Sequence, residues 1–113
     1  MKIYQHNKCG TCRKALKYLD EKNVEFECIA IRDQPPTKQE IKRMLDKFGV
    51  KRLFNTSGQD YRRLNIKDKL HGMSEKEIID LLNSNGNLIK RPFVVGDEVL
   101  LIGFKEEEWK KEI

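Results

Sequence analysis

No stretch of this chain approaches the roughly 20 consecutive apolar residues that a bilayer-spanning helix needs, and its N-terminus has no apolar signal-peptide core. The expected location is the cytoplasm, with no membrane partner. Runs of like charge are missing too. The 23 Lys+Arg exceed the 18 Asp+Glu to give +5, but no five or six bases stand together and no nucleic-acid-binding motif accompanies them. These bases read as solvated charge that mildly favours anionic partners, without direct nucleic-acid binding. Cysteine is scarce and odd in number, three in 113 residues, which excludes a disulfide-stapled scaffold. Internal repeats, low-complexity tracts and linkers are absent, so one domain with one core is expected, as a monomer.

What the chain does have is Lys8-Cys9-Gly10-Thr11-Cys12-Arg13-Lys14. Two thiols three positions apart, beside basic side chains, lie between a strand-like run and a helix-like one. A cysteine at a helix N-terminus near Lys or Arg is stabilised as the thiolate by the helix dipole and the cations. Cys9 is therefore the candidate nucleophile and Cys12, one turn on, its resolving partner. Lys8 and Arg13 are candidate substrate-binding residues. Two other readings stand beside this one, a zinc site and inert thiols. Zinc usually takes four ligands, and only His6 and Cys28 are nearby soft candidates, with no second Cys-x-x-Cys, so no metal is expected.

Periodicity places this motif. Lys2-Ile3-Tyr4 reads as a first strand. Cys12, Ala15, Leu16 and Leu19 recur at helical spacing to about Lys22, and Val24 to Ile31 alternates as a half-buried strand. This puts the thiols at the C-terminal edge of a strand in a βαβ unit, where open α/β sheets place their chemistry. After Pro35-Pro36, Thr37 and Glu40 form a capping box ahead of Ile41, Met44, Leu45 and Phe48, and Gly49 suits a left-handed C-cap. Leu53 to Leu70 reads as short helical turns. Ser74 and Glu77 make a second capping box before Ile78 to Leu82. Strand character returns at Phe93-Val94-Val95 and Val99 to Ile102, an antiparallel hairpin, and Lys105 to Ile113 closes the chain as a helix. The order β-α-β, helical insertion, β-β-α is that of an α/β thioredoxin-like fold with a four-stranded mixed sheet. Residues 1–34 and 88–113 make the expected core and residues 35–87 the insertion.

Arg91-Pro92 precedes the third strand. A proline fits a strand start simply because it cannot donate a ladder hydrogen bond. In a thioredoxin-like fold the same place holds a cis-proline beside the active thiol, which brings Arg91 near Cys9 to stabilise a thiolate or bind an anion. Cys28 is expected in the core, as is Trp109. His71 is expected in solvent, and His6 either tunes Cys9 or is an ordinary loop residue.

Tyr4 to Ala15, Leu53-Phe54-Asn55-Thr56-Ser57-Gly58 with Tyr61-Arg62, and Lys90-Arg91-Pro92-Phe93-Val94-Val95 together resemble the arsenate reductase-like (ArsC/Spx) family over nearly the whole chain. The resemblance implies a thioredoxin-like sheet with a helical insertion and Cys9 as nucleophile. In its glutaredoxin-coupled arsenate reductases three arginines surround that cysteine. Here one position is Arg91, but the others fall near Asn55 and Gly103, and a desolvated oxyanion needs several fixed donors. Cys-x-x-Cys instead resembles the Spx-type redox regulators, which bind the C-terminal domain of the RNA polymerase α subunit. Gly49 matches a glycine used at that interface and Arg43 lies on the preceding helix, but the regulators' C-terminal tail is missing here. The resemblance thus implies an oxidoreductase without a bound cofactor, recycled by glutathione, glutaredoxin or thioredoxin, with a polymerase-binding regulator as the alternative.

Overall fold

Alternation along the strands divides the core in two. The computed structural model describes residues 1–113, with β1 (Lys2–Gln5), β2 (Glu27–Ala30), β3 (Phe93–Val95) and β4 (Leu100–Ile102) in the order β2-β1-β3-β4. β1 and β2 are parallel, whereas β1–β3 and β3–β4 are antiparallel. The register aligns Ile3 with Val94 and Val94 with Leu101, and these three face helices α1 (Gly10–Glu21) and α7 (Glu106–Glu112). Their neighbours Tyr4, Phe93, Val95 and Ile102 face the other way, onto the helices between β2 and β3. A one-residue slip would exchange the two sets, so both helical layers fix the register.

The layer between β2 and β3 comprises α2 (Lys38–Phe48), α3 (Val50–Leu53), α4 (Gln59–Arg63), α5 (Ile66–Lys69) and α6 (Glu75–Ser84). Both expected capping boxes form. The Glu40 N–H donates to Thr37 Oγ1 at 3.1 Å and the Thr37 N–H to Glu40 Oε1 at 2.9 Å, and Ser74 and Glu77 do the same at 3.2 Å each way. Glu40 also accepts from the Tyr4 hydroxyl at 2.7 Å and from Lys2 at 3.3 Å, so the α2 cap is tied to β1. Across the molecule, Arg52 donates to both carboxylate oxygens of Glu108 at 2.9 Å each, joining α3 to α7. Trp109 is buried, and its indole N–H donates to the Gly103 carbonyl at 3.0 Å.

The turn of 3-10 helix at Gly86–Leu88 packs directly on the end of β2. A Cβ at Gly86 would lie 1.9 Å from the Ile31 carbonyl oxygen, so only glycine permits this approach. Asn87 is thereby held close to the Ile31–Arg32 segment.

Several local expectations change. β2 spans four residues, and Cys28 is exposed instead of buried. β2 is an edge strand, and although Cys28 pairs in register with the buried Ile3, it is not among the residues packed into the core beneath α1 and α7. Helix α1 starts at Gly10, two residues before the expected Cys12. Gly49 has the expected positive φ of 83°, but its ψ of 162° is extended, and it caps α2 and α3 at once. An isolated bridge pairs Phe54 with Ile89 in a region read as purely helical.

Candidate active site

β1 delivers the chain to the sheet edge and the turn at His6–Lys8 redirects it into α1. The Cys9 N–H donates to the His6 carbonyl at 3.1 Å, and the Cys9 carbonyl accepts from the Arg13 N–H at 3.2 Å as the first bond of the helix. Cys9 is thus the N-cap of α1, with extended backbone at φ −91°, ψ 113°. Its Sγ accepts the Cys12 N–H at 3.2 Å, taking the place usually filled by a Ser, Thr or Asp oxygen. No acidic side chain sits in the first turn of α1, so the positive end of the helix dipole faces this sulfur unopposed.

The two thiols are inequivalent. Cys9 is half-buried and Cys12 fully buried, and both are free. Burial, followed by a hydrogen bond to Cys9, pushes the Cys12 thiol up to about 12, although the His6 backbone and the Arg91 guanidinium pull the other way. Cys12 is therefore a protonated thiol at neutral pH, stored beneath the accessible one.

The Arg91–Pro92 peptide is cis, and Pro92 is buried at the start of β3. β3 runs antiparallel to β1, so Arg91 returns to the edge from which Cys9 emerges, and its charge is felt at both Cys12 and His6. Burial and the charges of Arg32, Arg91 and Lys8 hold His6 below the usual imidazole value. Arg13 donates to the Asn7 carbonyl at 3.4 Å and bridges the loop. Arg43 lies elsewhere. Its guanidinium donates to the Gly96 and Asp97 carbonyls at 2.9 and 3.1 Å, at the opposite end of β3 from Arg91.

Two clefts open near Thr11 and Arg91. One, of about 370 Å3, is lined by Thr11, Lys51, Lys90, Gly103 and Lys105. The other, of about 240 Å3, is lined by no hydrophobic residue and includes Arg32, Asn55, Asp60, Asn87 and Arg91. Asn55 and Gly103, where the resemblance would place arginines, thus sit in different clefts. Gly103 has φ +68°, which an arginine would adopt only with strain. Arg32 was not singled out from the sequence, although its place just past β2 puts it on the same strand edge as the motif. No group of three or more His, Cys, Asp or Glu residues could hold a metal ion.

The sequence model of the ArsC family matches residues 4–112. The chain belongs to the ArsC family. Among curated proteins this ArsC-family chain is similar to uncharacterized protein YusI of Bacillus subtilis (strain 168), 49% identical over 111 residues that cover 96% of this chain and 94% of YusI. Among solved structures, an ArsC family related protein from Bacteroides fragilis superposes with a TM-score of 0.90 at 44% identity, covering 99% of this chain and 96% of that one. The global transcriptional regulator Spx of Bacillus subtilis (strain 168) is 26% identical over 111 residues, 96% of this chain and 83% of the regulator. The chain has the thioredoxin-like architecture of ArsC-family thiol oxidoreductases, and its likeness extends to a protein named as a transcriptional regulator.

Proposed function

We propose that this protein is a thiol-disulfide oxidoreductase with Cys9 as nucleophile and Cys12 as resolving thiol. The observation that carries this reading is the pairing of an accessible sulfur at the N-cap of α1 with a fully buried, protonated thiol one turn on. The Cys9 thiolate attacks one sulfur of a substrate disulfide R–S–S–R′, forms Cys9–S–S–R and releases R′–S⁻, which takes up a proton. Cys12 then loses its proton and attacks Cys9 Sγ. The Cys9–Cys12 disulfide forms, R–S⁻ leaves, and the substrate has gained the two electrons the protein has lost. An external thiol, glutathione or a glutaredoxin or thioredoxin, restores both thiols.

Converting Cys9 to a disulfide removes its hydrogen bond and charge, two of the influences that hold Cys12 protonated, so the second step is favoured once the first is complete. Arg91 and Lys8 supply positive charge for an anionic substrate or leaving thiolate. Arsenate is a poorer fit. An oxyanion beside Cys9 would meet Arg91 without cations at Asn55 and Gly103, and the two clefts have room for larger adducts.

The test compares turnover of a glutathionylated substrate with that of arsenate. Cys9→Ser should abolish activity, while Cys12→Ser should accumulate a covalent adduct on Cys9 visible by intact mass. Full activity in Cys9→Ser would sink the assignment. The regulatory alternative draws on the Spx likeness and on exposed Gly49, where a side chain would meet open space although the φ of +83° strains any residue but glycine. It predicts redox-dependent capture of the RNA polymerase α subunit that weakens on Gly49→Arg. Arg43, already committed to the β3–β4 turn, is a poor partner contact.

A further inference from the structure

Two basic clefts meet at Thr56. The 370 Å3 cleft includes Lys51, Lys90 and Lys105, and a second, of about 330 Å3, includes Tyr61, Arg62, Asn65 and Lys67, with Thr56 common to both. Neither has an Asp or Glu in its lining, whereas the clefts of about 680, 350 and 240 Å3 each include at least one. Lys51, Lys90, Lys105, Arg62 and Lys67 join none of the ion pairs. Arg52, which also lines the first cleft, is already committed. It holds both Glu108 oxygens, donates to the Ile102 carbonyl at 3.2 Å and lies over the Phe48 ring at 4.7 Å. Gly103 leaves room for the Lys90 stem, since a Cβ there would lie 3.4 Å from Lys90 Cε.

Concavities lined by one sign of charge focus the field and concentrate ions of the other sign. A single exposed pair contributes little, so no one of these cations makes a site. A chain of linked carboxylates is different, because every contact after the first is effectively intramolecular. A single-stranded nucleic acid would need aromatic faces on which to stack its bases. None is offered: no large hydrophobic side chain is exposed, Tyr61 leans on the buried Phe54 with ring centroids 5.9 Å apart, and Phe104 meets Trp109 edge-on. The same lack of exposed apolar surface leaves nothing to anchor an amphipathic helix.

We propose that the two clefts act as one groove for an extended, Asp/Glu-rich segment of a partner polypeptide, lying from Thr11 past Thr56 to Lys67. Thr11 is in the first turn of α1, so the segment ends at the turn that carries Cys12 and is capped by Cys9. The binding itself uses neither thiol and stands independently of the thiol-disulfide reading.

Fluorescence anisotropy with a labelled peptide of four Glu-Gly-Ser repeats tests the groove. Its dozen or so residues extend to about 40 Å, within the 42 Å longest extent of the molecule. The peptide should bind, and its affinity should fall at least about tenfold as ionic strength rises from about 0.01 to about 0.1 M and the screening length shortens to about 10 Å. Lys51→Glu and Lys67→Glu, exposed positions in the two different clefts, should each weaken binding at least about fivefold. Lys17→Glu, an exposed position on α1 that lines neither cleft, changes the net charge equally and should leave affinity within about twofold. Equal binding of the Gln-Gly-Ser counterpart would overturn the proposal, as would an equal loss in Lys17→Glu, which would show net charge alone at work. Sensitivity to only one of Lys51→Glu and Lys67→Glu would break the single groove. Tighter binding of a labelled oligothymidylate of similar length would make this a nucleic-acid surface and refute the acidic-polypeptide assignment.

Discussion

Alkylation of the reduced protein should pass over Cys12 almost completely. Burial and the hydrogen bond to Cys9 raise its thiol from the ordinary 9.0 to about 12, which at neutral pH lowers the thiolate fraction roughly a thousandfold. A more basic thiolate is a better nucleophile, and a Brønsted slope of about 0.4–0.5 returns roughly twentyfold of that loss. The net expectation is labelling about fiftyfold slower than a free peptide cysteine, before any steric protection from complete burial is added. Iodoacetamide at pH 7, quenched over time and read by peptide mass mapping, gives each rate separately. Cys12→Ser supplies the blank.

Cys9→Ser makes the measurement more demanding. Removing the Cys9 sulfur takes away the second cause of the shift and leaves the first, burial, so Cys12 should quicken but stay well below the free-cysteine rate. In wild-type protein held as a Cys9 mixed disulfide, Cys12 should instead disappear into the intramolecular disulfide as the small thiol is released. A Cys12 labelling rate within about threefold of a free peptide cysteine in the native reduced protein would refute the stored-thiol picture.

Gly86→Ala should lower stability by about 3 kcal/mol, because its Cβ would be driven 1.9 Å from a backbone oxygen that has no rotamer to yield, and urea unfolding at constant slope would measure it. Tyr4→Phe should cost about 2 kcal/mol by removing a 2.7 Å hydrogen bond to the Glu40 carboxylate. Hydrogen bonds from Tyr4, Thr37 and Lys2 outweigh burial and hold Glu40 below its ordinary value, so its stabilisation is full above about pH 4.5 and is lost as pH falls through the depressed value. Tyr4→Phe should therefore also flatten the acid limb of a stability-against-pH curve; an unchanged limb would count against the linkage. Cys28→Ser, on the exposed edge strand, should change stability by less than about 0.5 kcal/mol and leave turnover intact, as checked by thermal unfolding and the glutathione-coupled assay.

What the chain order revealed depended on how local the determinant was. The Thr37–Glu40 and Ser74–Glu77 boxes are four-residue devices, and both form where the residues stand. The Cys9–Cys12 spacing and the proline before β3 were equally readable, since each lies at the end of one element. Cys28 was misread because alternation gives the period of a strand, whereas burial depends on what covers each face, and on the edge strand β2 Cys28 lies outside the core that buries its register partner Ile3. The polar cleft was illegible for a further reason. Arg32, Asn55 and the pair Asn87 and Arg91 come from three segments brought together by the insertion and by the contact of Gly86 with Ile31. No spacing along the chain encodes that meeting.

The placement of charge supports the same division of the molecule. All seven ion pairs are made by Lys2, Lys38, Lys42, Lys47, Arg52 and Arg63, which staple the helical layer to itself, to β1 and to α7. Lys8, Arg32 and Arg91, the cations whose charges reach His6, join none of them. A cation held without a counter-ion at a concave, partly desolvated edge keeps its attraction for an incoming anion, whereas a paired one has largely given it up. The modest net charge of +5 is therefore a weak guide to ligand preference. Its local arrangement is a stronger one, because these unpaired bases act together on His6, three residues before Cys9.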